Sequence, residues 1–310
     1  MSQDLFLYVE KYISLWDLVN LYVMKYFLPI ASVVAYSFFM THRDQLQDFR
    51  VGAAHVHIFE SRESLGMAAA LEAARVINSA VKDKGHARVM AATGNSQLDV
   101  IAALARVKDI HWERVEVFHM DEYVGLSETH PASFRYWIKT RLADQVHPGQ
   151  VHYFAGDAPD LDAEIDRYAR LVSAGPLDLA FVGFGENGHI AFNDPHVADF
   201  EDPLIFKRVT LDDASRRQQA GEGHFTDAAS VPKEAVTVTC PVLFHTAAWV
   251  SCIPELRKAE AVKRAFEGPI STACPASIVR KHPNAHVFLD KDSASLLSPQ
   301  LQVLNPEVLR

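Results

Sequence analysis

Cysteine is scarce in this sequence. Only Cys240, Cys252 and Cys274 occur among 310 residues, and none falls in a CxxC pair. That odd count argues against a disulfide framework and for unpaired thiols in a reducing compartment, so the expected location is cytoplasmic. Positive charge is also short: 30 Lys and Arg against 39 Asp and Glu give a formal net charge of −9. Without a basic field to attract a polyanion, nucleic acid is not an expected partner, although locally focused cations can still hold a small anion. The phosphate-cradling GxxxxGK[ST] spacing is missing, and so is GxGxxG, so neither a P-loop nor a dinucleotide is indicated. Neither HExxH nor a Cys/His cluster is present, which leaves no sequence signal for zinc. No internal repeat or low-complexity tract is seen.

One long hydrophobic run stands out, LVNLYVMKYFLPIASVVAYSFFM at 18–40, broken by Asn20, Lys25 and Pro29. It is long enough to span a bilayer, but a charge near the middle of a span costs about 2.5–3.5 kcal/mol on insertion scales. Three readings stay open: a membrane anchor, a helical appendage packed on the domain or a partner, or an over-extended start with Met40 as the true beginning. A cleaved signal peptide fits poorly, because MSQDLFLYVEK is not a basic n-region. The chain divides into an apolar extension, 1–40, and a single domain, 41–310. Membrane contact is expected only if 18–40 is real and inserted.

From about residue 50, strand-like and helix-like stretches alternate. AHVHIFE reads as a strand, and SRESLGMAAALEAARVINSAVKDKG as an amphipathic helix with a Ser start and a Gly stop. ARVMAAT, RVEVFHM, VHYF, LDLAFVGF, AVTVTC, AWVSCI and AHVFLD read as further strands. SQLDVIAALARV, HPASFRYWIKTRLADQV, APDLDAEIDRYARLVSAG and ELRKAEAVKRAFEG read as helices. This alternation predicts an α/β fold of the Rossmann-like, doubly wound class: a mainly parallel sheet with helices on both faces. The polar, Gly-containing stretch 196–232 reads as a flap.

In such sheets ligands bind beyond the carboxyl ends of the strands. Three polar loops have that address: TGNS (93–96), MDEY (120–123) and GENGH (185–189). TGNS opens a helix, so it suits an anion held by backbone N–H groups, or is simply a helix cap supplied by Ser96. In MDEY either Asp121 or Glu122 should turn inward as a general base; the alternative is a solvated acidic loop. GENGH places His189 between Glu186 and Asp194, which suits proton shuttling near neutral pH as well as a purely structural histidine. Arg257 and Lys258, at the start of a late helix, could meet an anion, as could Arg216 and Arg217 from the flap.

Together these residues resemble the glucosamine-6-phosphate deaminase family, which is related to the 6-phosphogluconolactonases. The resemblance rests on DEYVGL (121–126), HPASF (130–134), GHIAFNDP (188–195), VPKEA with VTVTCPVLF (236–244), and RKAEAV (257–262), and it spans roughly 50–290. It implies conversion of an amino-sugar phosphate to fructose 6-phosphate and ammonia, in amino-sugar catabolism, with no metal or organic cofactor and a small-molecule sugar phosphate as partner. Relatives being often oligomeric, it also implies homo-oligomer formation. His189 would open the pyranose ring and Asp121 would move the proton from C2 to C1. Thr93, Gly94, Asn95, Ser96 and Lys258 would hold the phosphate, and groups near Gly183 and Ala191 the sugar hydroxyls. Two positions depart from the family pattern: Asn187 stands where an aspartate is usual, and Asp194 where a glutamate is usual. The phosphate arginine has no direct counterpart, and Arg216 is the expected replacement, with Arg217 beside it. The competing expectations are a related isomerase, a lactonase, or a non-catalytic sugar-phosphate sensor.

Overall fold

A computed structural model describes residues 44–302 apart from His224, so the apolar run at 18–40 lies outside the described residues. The first strand, β1 (Gln45–Val51), forms a hairpin with β2 (Ala54–Phe59). The sequence pattern alone left β1 unassigned, because its inward face is carried by few apolar residues. Helix α1 (Arg62–Lys84) follows, capped as expected: Ser61 Oγ accepts from Ser64 N, and Gly85 takes a left-handed φ of 80°. The chain continues through β3 (Ala87–Ala91), α2 (Leu98–Leu104), β4 (Val115–His119) and the short β5 (Asp121–Tyr123).

Next comes α3 (Phe134–Ile138), which runs on through a π turn at Lys139–Ala143 and a last turn at Asp144–Val146. Pro131 therefore precedes the helix, and Ser133 caps it. Then follow β6 (Gln150–His152), α4 (Leu161–Ser173) and β7 (Leu179–Phe181). Buried Arg88 explains where α4 stops: its guanidinium donates to the carbonyls of Leu171, Val172 and Gly175, a cation at a helix C-terminus.

The expected flap is more ordered in the structure. It contains a strand, β8 (Phe206–Thr210), and a helix, α5 (Asp213–Gly221) capped by Asp212. After it come β9 (Glu234–Val238), α6 (Cys240–Phe244), β10 (Trp249–Ile253), α7 (Ala259–Glu267), β11 (Ala285–Asp290) and α8 (Pro299–Gln302).

The main sheet has the order β1-β2-β11-β10-β7-β3-β4-β6 and is parallel except for β1. Its central strands β3, β7 and β10 are buried throughout, as strands covered on both faces must be. From β3 the chain steps one way to β4 and β6, then returns to β3's other side with β7 and proceeds to β10 and β11. The direction of winding reverses between β3 and β7, and in open α/β sheets that reversal opens a crevice at the strands' carboxyl ends. This is the doubly wound, Rossmann-like architecture predicted above. A second, antiparallel sheet, β5-β9-β8, lies outside that prediction.

No helix among the described residues is long and apolar enough to cross a membrane.

Candidate active site

The crevice is an open pocket of about 550 Å³, counting the space at its mouth that is continuous with solvent. Thr93, Gly94 and Ser96 line it from the end of β3, Asp121 from the start of β5, Gly183, Gly185, His189 and Ala191 from the loop after β7, and Arg257 and Lys258 from beyond β10. The three loops thus share one site, as their common address predicted.

Asp121 and Glu122 part company because successive strand residues face opposite ways. Glu122 points at α3, where it accepts from Ser133 Oγ (2.8 Å) and from the N–H groups of Phe134 (3.1 Å) and Arg135 (2.9 Å). It is a helix-end anchor, and the catalytic alternative falls to Asp121. Asp121 faces the pocket at 7% exposure, and its Oδ1 accepts no hydrogen bond. Burial, and after it the negative charges of Glu122 and Glu222, push its pKa well above the ordinary aspartate value. Its backbone is held by His119, a residue the sequence did not bring forward. His119 Nδ1 donates to the Asp121 carbonyl (2.8 Å), while Nε2 accepts from Phe154 N (2.9 Å). That pair of bonds requires a neutral ring with the proton on Nδ1, in agreement with a pKa lowered by burial to about 4.

His189 sits in a tight loop where Gly185 N donates to the His189 carbonyl (2.8 Å) and Gly188 N to the Gly185 carbonyl (3.0 Å). The imidazole lies so close to Gly185 that a Cβ there would stand 2.2 Å from the ring, so the glycine is a steric necessity. The ring's Nδ1 meets Asp194 Oδ1 at 3.0 Å, leaving Nε2 for the pocket. Burial raises the Asp194 pKa, but hydrogen bonds from His189, Asn187 and Ser215 and the histidine's charge outweigh it, and the value falls to about 2. Asp194 thus supplies the full charge beside the imidazole. Asn187 stands one layer back: its Nδ2 donates to Asp194 Oδ1 (2.9 Å) and Asp212 Oδ2 (3.3 Å), and its Oδ1 accepts from His189 N (3.0 Å). Glu186 is turned toward Arg257 (3.4 Å) and takes no part in this pair.

Ser215 is a further partner that sequence reading missed. It lies on α5, donates to Asp194 Oδ1, and stands 3.1 Å from His189 Nδ1. The signal was available in the helical phase: Ser215, Gln218, Gln219 and Glu222 fall at i, i+3, i+4 and i+7 on one face, and the last three line the pocket. Arg216 does not. It turns away to the carbonyls of Ala229 and Val231 (3.3 Å each) and pairs with Asp213, so the expected flap arginine is corrected. Arg217 also lies outside this pocket, in a neighbouring hollow. Asp194, Asn187 and Asn95 likewise stand behind the pocket wall, the first two holding His189 and the third turned to Glu222.

The cations at the site are Arg257 and Lys258. Lys258 is 3% exposed, and burial together with neighbouring Arg257 lowers its pKa to about 8. Glu255, just before them, adopts φ 83°, an unusual conformation for a residue with a side chain. It is held there by ion pairs to Arg62 and Arg257, and such conformations persist where surrounding structure fixes them at functional sites. Arg62 also donates to the Asn95 carbonyl (3.2 Å), bracing the TGNS turn.

Among the described residues, Asp194, His196 and Asp212 bring ligand-type atoms within 4.8 Å of one another. Asn187's amide bonds both carboxylates, and His196 Nε2 donates to the Thr210 carbonyl (2.9 Å).

The two sides of the pocket are joined through β9. Asp121 pairs with Thr237 in the small sheet, and Thr237 Oγ1 accepts from Phe192 N (3.0 Å) in the His189 loop. Val238 N donates to the Met120 carbonyl (2.7 Å), and Asn193 Nδ2 to the Val238 carbonyl (2.8 Å).

Comparison with known proteins agrees with this geometry. Residues 60–288 match the family described as glucosamine-6-phosphate isomerases/6-phosphogluconolactonase. A glucosamine-6-phosphate deaminase of Bacillus cytotoxicus is 33% identical over 244 residues, covering 79% of this chain and 89% of that protein. One of Bacillus thuringiensis is 34% identical over 224 residues, covering 72% and 83%. A solved monomeric glucosamine-6-phosphate deaminase superposes with a TM-score of 0.70 at 32% identity, covering 78% of this chain and 99% of that one. A 6-phosphogluconolactonase of Thermotoga maritima, at 20% identity and a TM-score of 0.63 over 77% and 100%, shares the fold. The chain belongs to the glucosamine-6-phosphate isomerase/6-phosphogluconolactonase family.

Proposed function

We propose that this protein converts glucosamine 6-phosphate to fructose 6-phosphate and ammonia. The observation that carries this reading is a single pocket lined by a buried aspartate of raised pKa and an imidazole backed by an ionised carboxylate, with buried Lys258 and half-buried Arg257 at one end. Its similarity to named deaminases above 30% identity supports the same reading.

His189 Nε2 exchanges a proton at the ring oxygen, and Asp194 stabilises the imidazolium form. The open-chain sugar then carries an acidic C2 proton beside the aldehyde. Asp121 removes it as a general base; its raised pKa makes it a stronger base than an exposed aspartate. Asp121 returns the proton at C1, which leaves an iminium at C2. Water adds there, and ammonia leaves as the ketose forms. Lys258 and Arg257, with the hydroxyls and N–H groups of Thr93, Gly94 and Ser96, hold the phosphate. Backbone groups near Gly183 and Ala191 face the sugar hydroxyls. Residues 41–310 act as one catalytic domain, and the working location is cytoplasmic.

The test is to incubate the full chain with glucosamine 6-phosphate and measure both products. Equimolar ammonia and fructose 6-phosphate are expected. Absence of both, with hydrolysis of 6-phosphogluconolactone instead, would assign the chain to the lactonase branch.

A further inference from the structure

The end of the pocket assigned to phosphate already holds a negative charge of the protein's own. Glu222, which follows α5, lines the pocket together with Gly94, Arg257 and Lys258. Its Oε2 accepts from Asn95 N at 3.4 Å, and its backbone carbonyl accepts from Asn95 Nδ2 at 3.4 Å. The carboxylate rests on the bare face of Gly94, where a Cβ would lie 3.1 Å from Oε2 and 3.6 Å from Oε1. The last turn of α5 is therefore at the same place, bringing the negative end of a helix to a cradle meant for an anion.

These contacts are weak ones. Both hydrogen bonds to Asn95 are long, and Glu222 forms no ion pair within 4.0 Å among the described residues. It is flanked by Gly221 and Gly223. Gly223 has φ +91°, and neither glycine has a neighbouring atom within 4 Å of where a side chain would start. A carboxylate on a glycine-flanked helix end, seated against a backbone N–H in a pocket it shares with buried Lys258 and half-buried Arg257, has the chemistry of a displaceable anion.

We propose that Glu222 is an internal competitor for the phosphate cradle, which the sugar's phosphate must expel by moving the C-terminal end of α5. The proposal rests on the reading that Thr93, Gly94, Ser96, Arg257 and Lys258 take the phosphate. A phosphate and the Glu222 carboxylate cannot share the cradle, because like charges brought together in a confined site repel. Part of the binding energy of the phosphate is then spent on removing Glu222, which sets an upper limit on affinity for any phosphorylated ligand. Uncharged sugars gain nothing from that displacement.

The experiment measures inorganic phosphate binding to the full chain by calorimetry for the unaltered protein, Glu222→Gln and Glu222→Ala, with thermal melts to establish folding. Deamination of glucosamine 6-phosphate is assayed in parallel. Both substitutions are expected to tighten phosphate binding at least about five-fold, and to lower KM in the same direction, as the like-charge contact is relieved. Unchanged or weaker phosphate binding in folded variants would overturn the proposal, as would failure of all three proteins to bind phosphate. Tighter phosphate binding without deamination by any of them would leave the competitor in place and remove the deaminase reading instead. Deamination with phosphate affinity insensitive to position 222 would do the reverse.

Discussion

Asp121 and Asp194 are both buried aspartates, on opposite sides of one pocket, and their surroundings drive them apart. Asp121 has an oxygen that accepts nothing and two acids in its vicinity, so its ionised form is disfavoured. Asp194 receives hydrogen bonds from His189, Asn187 and Ser215 and stays ionised down to about pH 2. One side chain type thereby serves as a base that can give its proton back, the other as a fixed negative charge. Burial alone does not decide which; the number of donors aimed at each carboxylate does.

The contrast can be broken most severely at the base. Asp121→Asn should lower kcat by about 10⁴-fold, the upper range for a lost general base, with substrate binding retained. It should also stabilise the fold. The Asp121 pKa is raised on folding, so the native state prefers the proton, and stability declines as pH rises from the unfolded value toward the folded one. The gain in Tm from Asp121→Asn should therefore be larger at pH 8 than at pH 4, by ~2–4 °C for each kcal/mol relieved. Equal melting curves at both pH values would show that the carboxylate carries no such penalty.

Asp194→Asn should cost about 10²-fold in kcat by leaving the imidazolium without its counter-charge. Here the stability sign reverses. The Asp194 pKa is lowered on folding, so its contribution is present above about pH 4 and lost as pH falls toward about 2. The variant should be less stable than the parent at pH 7, by ~2 kcal/mol, and the difference should shrink in acid. A loss that persists unchanged at pH 2 would point to packing and not charge.

Ser215→Ala should have a smaller effect, a loss in kcat of about ten-fold, on the scale of one hydrogen bond to a charged group. Full activity in that variant would confine the tuning of Asp194 to the loop after β7. The mildest expected change is at Lys258. With its pKa at about 8, kcat/KM should decline as pH rises through that region because the neutral amine no longer attracts phosphate. Lys258→Arg, permanently charged, should flatten that alkaline limb; an unaltered limb would assign it to another group.

Much of the site was legible in the sequence because its residues announce themselves locally. The glycine-dense GENGH turn marks His189, and the apolar strand before MDEY places an acid at a strand end. The choice between Asp121 and Glu122 was not legible, since it depends on α3 presenting its N-terminus to one face. The inward face of the flap was not legible for a different reason. Arg216 was favoured for its charge, whereas helical phase decides which residues of α5 face inward, and those are Ser215, Gln218, Gln219 and Glu222. The main sheet was legible from strand–helix alternation. The small sheet was not, because three-residue β5 pairs with β9, more than a hundred positions later, and no local periodicity records that.

Thr237 gives that small sheet a further consequence. One threonine faces Asp121 across the ladder and receives the Phe192 N–H with its hydroxyl. The base and the imidazole are thus measured from a common reference. If β9 shifts, the two reactive groups travel together and the span between them is kept, so the tolerance of the chemistry is set by a strand that never touches the sugar.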